Sequence, residues 1–228
     1  MRLLKLIAVL LDYPQDDLWA HADELREACA DPALSPARRV ALRGFVDDLV
    51  AQEPMAAQER WLGLFDRGRA MSLLLFEHIH GESRDRGQAM VDLISTYRGH
   101  GFELGVKQLP DYLPVVLEYL SMRPVAEVRD WLGHIGHILE LLAARAQERN
   151  SPYAALLEAL VETASGKVDL DLLRKRVASE ERDDTPEAMD RVWEEEAVRF
   201  GVEAPGEDCN PPTRLPSGVK RNEPTVTP

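Results

Sequence analysis

WLGLFDRGRAMSLLLFEHIHGESRDRGQAMVDLISTYRGHGFELGVKQLPDYLPVVLEY, from Trp61 to Tyr119, decides what kind of fold this chain can adopt. Three apolar sets within it recur at helical rather than strand spacing. Met71, Leu74 and Leu75 lead to His78, and Met90, Leu93 and Ile94 lead to Tyr97. Leu113, Val116, Leu117 and Leu120 form the third set. Between the first two lies a charged turn, HGESRDRG (His80 to Gly87). There Gly81 can end one helix in the left-handed conformation, and Ser83 can cap a second that ends near Gly99. Ahead of the third lies LPDYLP, Leu109 to Pro114. With Asp111 as its N-cap, Pro114 takes the third helical position, where a missing N–H breaks no intrahelical bond.

The same period extends in both directions. Residues 2–12 are apolar nearly all round, which predicts a helix buried on most of its surface, stopped at Tyr13-Pro14. A second helix carries Leu18, Ala22, Leu25 and Cys29 on one stripe. Ser35-Pro36 reads as N-cap and first position of a third, with Leu42, Phe45, Val46, Leu49 and Val50 inward. Downstream, Val128, Trp131, Leu132, Ile135, Ile138, Leu139 and Leu142 hold helical spacing between Arg123 and Arg149. Ser151-Pro152 opens a helix burying Tyr153, Leu156, Leu157, Leu160 and Val161, and Thr185-Pro186 opens another that reaches Phe200. A short charged helix from Asp169 to Ser179 lies between these two. No alternating Val/Ile/Thr run with hairpin turns interrupts the series, so the fold class is all-α. The organisation expected is a helical core over residues 1–165, a helical extension over 166–202, and a disordered proline-rich tail over 203–228.

Charge and composition exclude several function classes. The 228 residues include 40 acidic and 27 basic side chains, a formal charge of −13 that repels nucleic acid and anionic lipid. The apolar run Leu6 to Leu11 is too short for a signal-peptide core and is followed by Asp12, Asp16 and Asp17. No later run approaches the length of a membrane span. A cytoplasmic protein is expected. Two cysteines cannot build a structural zinc site alone; Cys29 falls on an apolar stripe, and Cys209 in the polar tail is expected to be a free, exposed thiol.

The candidate chemistry is sparse. His78 and His80 cluster with Glu77, and His134 and His137 lie one helical turn apart, so a metal-dependent enzyme built on these four histidines is one alternative. At 100° per residue, however, His137 points away from the stripe through Ile135 and Leu139, and His134 sits at its edge. That pair reads as a solvated flank. His78 stands on an apolar stripe, as either a satisfied core residue or part of a groove wall. Gly166-Lys167 lacks the rest of a phosphate-binding loop, and no dinucleotide, zinc-protease or nucleophile-elbow motif occurs. What remains is apolar helical surface edged by charge: Glu82, Arg84, Asp85 and Arg86 at one corner, Asp111 and Glu118 beside another. An amphipathic basic peptide could lay its apolar face there and set Arg or Lys on the rim.

The residues that carry this pattern also resemble a known family. Tyr13-Pro14, Phe65-Asp66, LFEHIHGESRDRGQAM at 75–90, LPDYLPVVLEYL at 109–120 and WEEEAVRFG at 193–201 look like the NarJ-type nitrate reductase molybdenum-cofactor assembly chaperones. These fall within the wider TorD- and DmsD-like maturation proteins, and the likeness covers about residues 1–202. The resemblance implies a cytoplasmic, non-catalytic helical chaperone with no cofactor or metal of its own. Its client would be the apo form of the catalytic α subunit of respiratory nitrate reductase, bound largely through the N-terminal peptide. The chaperone would keep it competent for insertion of molybdenum cofactor and iron–sulfur cluster, and keep it from docking early at the membrane. Client-peptide contacts are then expected in the region of Phe65, Asp66, His78, Arg84, Arg86, Asp111, Tyr112 and Glu118. A permanent structural helical subunit is the remaining alternative.

Overall fold

Helix α1 (Arg2–Leu11) is enclosed on almost every side, with Leu3, Leu4, Leu6, Ile7, Ala8, Leu10 and Leu11 all buried. Its main partner is α8 (Leu113–Ser121), where Leu113, Pro114, Val115, Val116, Leu117, Tyr119 and Leu120 are buried. The two run antiparallel. The Met1 amino group donates to the Ser121 carbonyl at one end, and the Tyr112 hydroxyl donates to Asp12 at the other. The computed structural model describes residues 1–81, 83–105, 108–164 and 170–196; the expected tail over 203–228, Cys209, and the stretch from 197 to Phe200 lie outside these.

Around this pair the remaining helices form a shell. In chain order they are α2 (Asp17–Ala20), α3 (Ala22–Ala28), α4 (Pro36–Val50), α5 (Pro54–Phe65), α6 (Leu75–His80), α7 (Asp85–Gly99), α9 (Val125–His134), α10 (Gly136–Glu148), α11 (Ala154–Thr163), α12 (Leu170–Val177) and α13 (Pro186–Glu196), with a 3₁₀ turn at Arg69–Met71. Among the described residues no strand occurs; a single antiparallel bridge joins Leu74 to Tyr112. Helix α11 packs on α10, α4 and α1, and α12 packs on α10. The all-α expectation holds, as do the Ser35-Pro36 and Thr185-Pro186 starts. Ser35 Oγ accepts from the Arg38 N–H, and Thr185 Oγ1 from that of Ala188. Cys29 is buried as its stripe requires, and burial raises its thiol pKa to about 11.

Four local expectations are corrected. The stretch from Arg123 to Arg149 is two helices, not one, because Ile135 (φ −96°, ψ 5°) closes α9 and opens α10 between Gly133 and Gly136. The break keeps the apolar residues in phase, so periodicity cannot see it. The helix expected through Leu18 and Cys29 is likewise divided at His21 (φ −108°, ψ 23°). Ser151 heads a turn, accepting from the Tyr153 N–H, and α11 begins only at Ala154. Gly81 does have positive φ, but with ψ −125° it lies outside the left-handed helical region, and Ser83 Oγ accepts from Asp85 N–H at the start of α7.

The enclosure of α1 and α8 has a direct energetic consequence. Leu117→Ala, at a fully buried site, is expected to lower unfolding free energy in urea by about 2–5 kcal/mol. Val40→Ala, 73% exposed on α4, should change it by no more than about 0.5 kcal/mol.

Candidate functional site

Between the outer edges of α1 and α8 lies an open cleft of about 100 Å³, lined by Lys5, Ala8, Val9, Asp12, Gln108, Tyr112, Pro114, Val115 and Glu118. It exists because each core helix keeps one narrow exposed edge. On α1 the exposed residues are Arg2, Lys5 and Val9, spaced three and four apart, and Val9 is 41% exposed although its helix neighbours are buried. On α8 the exposed residue is Glu118. The cleft floor is therefore apolar, from Ala8, Val9, Pro114 and Val115. Its rim carries Lys5, Gln108, Asp12 and Glu118.

One end of the cleft is rigidly built. Asp12 Oδ1 accepts from the Tyr112 hydroxyl at 2.9 Å and from the Tyr13 N–H at 2.8 Å. Burial, and next the charge of Asp12, hold the Tyr112 phenol above its ordinary pKa, so it stays a hydroxyl donor. The end of α1 is fastened from behind. Trp61 Nε1 donates to the Leu11 carbonyl at 2.8 Å, Gln58 Nε2 donates to the Pro14 carbonyl at 2.9 Å, and Tyr13 meets Trp61 edge-on at 5.5 Å.

Directly behind Tyr112 sits Asp111, with 0% exposure. It does not cap its own helix. Tyr112 is the N-cap and Pro114 the second residue of α8. Instead Asp111 Oδ2 accepts from the Phe76 N–H at 3.0 Å, in the first turn of α6. Leu75 N–H donates to the Asp111 carbonyl (3.0 Å), and Leu113 N–H to the Leu73 carbonyl (2.8 Å), so three bonds clip α6 to the start of α8. Burial raises the Asp111 pKa, partly offset by the Phe76 N–H and the nearby Arg86. Its Oδ1 is buried and finds no hydrogen-bond partner among the described residues.

The eight residues expected at the site therefore separate. Tyr112 and Glu118 line the cleft, and Asp111 backs it. Arg86 pairs with Glu77 at 3.4 Å at the α6–α7 corner, where Arg84 is exposed. His78 Nε2 lies 2.8 Å from the Ser72 carbonyl, which makes it a satisfied, half-buried residue. Phe65 is buried against Trp61 and Tyr153, with ring centroids 5.5 and 5.0 Å away, and only the adjacent Asp66 is exposed. His80 packs edge-on to Phe76, while His134 and His137 are exposed on different helices. Among the described residues no three His, Cys, Asp or Glu side chains are grouped as metal ligands would be, and no helix is long and apolar enough to cross a membrane. Lys5, Val9 and Asp12 escaped the sequence reading, although their own spacing of four and three residues on an otherwise apolar helix was a usable signal.

Residues 31–162 match the family model described as nitrate reductase delta subunit. The chain belongs to that family. Over 198 residues it is 50% identical to the nitrate reductase molybdenum cofactor assembly chaperone NarJ of Escherichia coli K12, covering 86% of this chain and 84% of that one. It is 46% identical over 202 residues to the probable assembly chaperone NarW of the same strain, covering 88% and 84%. With the probable NarJ of Bacillus subtilis 168 the identity is 28% over 156 residues, 68% of this chain and 84% of the relative. Assembly chaperone is a non-enzymatic role, and the family match over residues 31–162 includes the α8 side of the cleft.

The Asp111 clip can be tested apart from any client. A carboxyl whose folded pKa is raised contributes its stability below the unfolded pKa and loses it as pH rises through the folded value. Asp111→Asn keeps an acceptor for Phe76 N–H without the buried charge. It should match or exceed the parent in thermal stability at pH 7 and flatten the pH dependence above the ordinary carboxylate range. Asp111→Ala removes the acceptor and should cost about 1–3 kcal/mol. Thermal unfolding followed by circular dichroism from pH 4 to 8 checks both.

Proposed function

We propose that this protein is a NarJ-type assembly chaperone that binds the catalytic subunit of a respiratory nitrate reductase before its molybdenum cofactor is in place. The observation that carries the reading is the identity to NarJ, one residue in two, across nearly the whole of both chains. The client is held through its N-terminal segment, seated as an amphipathic helix in the α1–α8 cleft. Apolar side chains of that segment lie on Val9, Pro114 and Val115. A basic side chain is drawn to Glu118 and Asp12, and Lys5 takes an acceptor. Asp66, Arg84 and Arg86 extend the contact outside the cleft; Asp111 and Phe65, both buried, support it from within.

Mechanism follows from linkage. A chaperone that binds the unfinished client and not the finished one stabilises the former by mass action, by RT ln(1 + [L]/Kd). Molybdenum cofactor and iron–sulfur cluster go to the client, and release follows once the client's own fold takes back the segment. An occupied N-terminus is also unavailable for docking at the membrane. This is cytoplasmic work, in keeping with a chain of formal charge −13.

Titration with a synthetic peptide of the cognate subunit's first residues, roughly fifteen or four helical turns, tests the cleft. Glu118→Lys should weaken binding about ten-fold or more, equivalent to about 1.4 kcal/mol, without loss of helical signal, because Glu118 is exposed. Unchanged affinity would remove the cleft from the reading. The family description, a delta subunit, favours a second reading as a permanent component. Active reductase purified without this chain decides for the chaperone; stoichiometric retention decides for the subunit.

A further inference from the structure

The link between α12 and α13 crosses the turn that follows Phe65-Asp66. This link reads Glu180-Glu181-Arg182-Asp183-Asp184; Glu181 is exposed, while Glu180, Asp183 and Asp184 are held by partners outside the link. Asp183 Oδ2 accepts from the Ala70 N–H at 2.6 Å, and Oδ1 accepts from Arg149 Nη2 at 3.2 Å. Asp184 Oδ2 lies 3.3 Å from Arg149 Nη1, and these two side chains are only 6% and 9% exposed. Glu180 Oε2 accepts from Arg145 Nε at 2.8 Å, while Arg145 Nη1 donates to the Ala70 carbonyl, also at 2.8 Å. Arg145 in the last turn of α10 and Arg149 just past its end stand one helical turn apart, so both reach the same strip of surface.

Gly68 completes the seat. A Cβ added there would come within 2.6 Å of the Asp183 carboxyl group, and that short side chain is already tied at both oxygens. Only glycine lets the carboxylate approach the turn so closely. A solvated acidic linker would have no reason to demand a glycine on another segment.

We propose that residues 180–184 form an ionic latch: an acidic strap seated in a carboxylate cradle made by Gly68, the Ala70 N–H, Arg145 and Arg149. Shut, it closes the α12–α13 pair over the 66–71 turn. Open, it uncovers two arginines and a free amide donor beside Asp66. Because its strength is ionic, salt shifts it toward the open form. The latch stands independently of the client reading, since every contact in it lies within this chain.

Hydrogen exchange of the Ala70 amide in the full-length protein reads the latch directly, with the Leu117 amide in the core as internal reference. Asp183→Asn weakens the seat by removing charge, and Gly68→Ala by filling space with the charge left in place. Each should speed exchange at Ala70 by about ten-fold, the scale of one lost hydrogen bond, and leave Leu117 unchanged. Raising salt from 0.1 to 1 M, which shortens the screening length from about 10 to about 3 Å, should accelerate Ala70 in the parent protein in the same direction. Unaltered Ala70 exchange in both variants, at unchanged helical signal, overturns the latch. If either variant fails to fold, the salt series on the parent decides, and a flat response there overturns it.

Discussion

Everything in this fold is arranged to enclose two apolar helices against each other. Helix α1 has almost no polar face, and α8 exposes little besides Glu118. A helix apolar all round must be covered on all sides. The other helices supply that cover: α11 and α3 against α1, α9 against α8, and α4 and α10 behind α11. The cover is incomplete at one seam. There exposed Val9 adjoins the buried Pro114 and Val115 between Lys5, Asp12 and Glu118, and that seam is the cleft. Cleft and core are thus one feature, because the groove is the place where the core reaches the surface.

The seam holds its shape because its lower end is tied to three separate parts of the chain. Asp12 receives Tyr112 and the Tyr13 amide. Trp61 and Gln58 of α5 hold the carbonyls of Leu11 and Pro14. Asp111 reaches the opposite way, to the amide of Phe76. Two adjacent residues, Asp111 and Tyr112, therefore tie different elements: Asp111 binds the start of α6, and Tyr112 binds Asp12 at the end of α1. A wall fixed in this manner is preorganised, so a bound peptide need not order it.

Much of this was legible in the sequence, and the rest was hidden for identifiable reasons. The apolar period of residues 2–12 announced a buried helix, and Ser35-Pro36 and Thr185-Pro186 announced helix starts. The interruptions at His21 and Ile135 were invisible because neither shifts the phase of the stripe. Asp111 looked like a cap for its own helix because local spacing allowed it; its actual acceptor role is toward Phe76, 35 residues away, and no local pattern encodes that. Phe65 and Asp66 were expected among the client contacts from the family resemblance alone, and no local pattern showed that Phe65 belongs to an aromatic group with Trp61 and Tyr153. The α1 edge of the cleft was readable in principle. Lys5, Val9 and Asp12 share one face, but an apolar residue is not conspicuous until its neighbours are known to be buried.

The chemistry of the cleft fits a protein that clasps a polypeptide, and membership of the nitrate reductase delta subunit family points to the polypeptide concerned. The central claim is that the client segment lies along the α1–α8 seam. A photo-crosslinking side chain placed at Val9, in cells making the apo-reductase, tests this most directly. The account predicts a crosslink from Val9 to the first turns of the catalytic subunit, absent once the reductase is fully assembled. A crosslink found from Ile79 or Val91 of the α6–α7 face instead, with none from Val9, would contradict it.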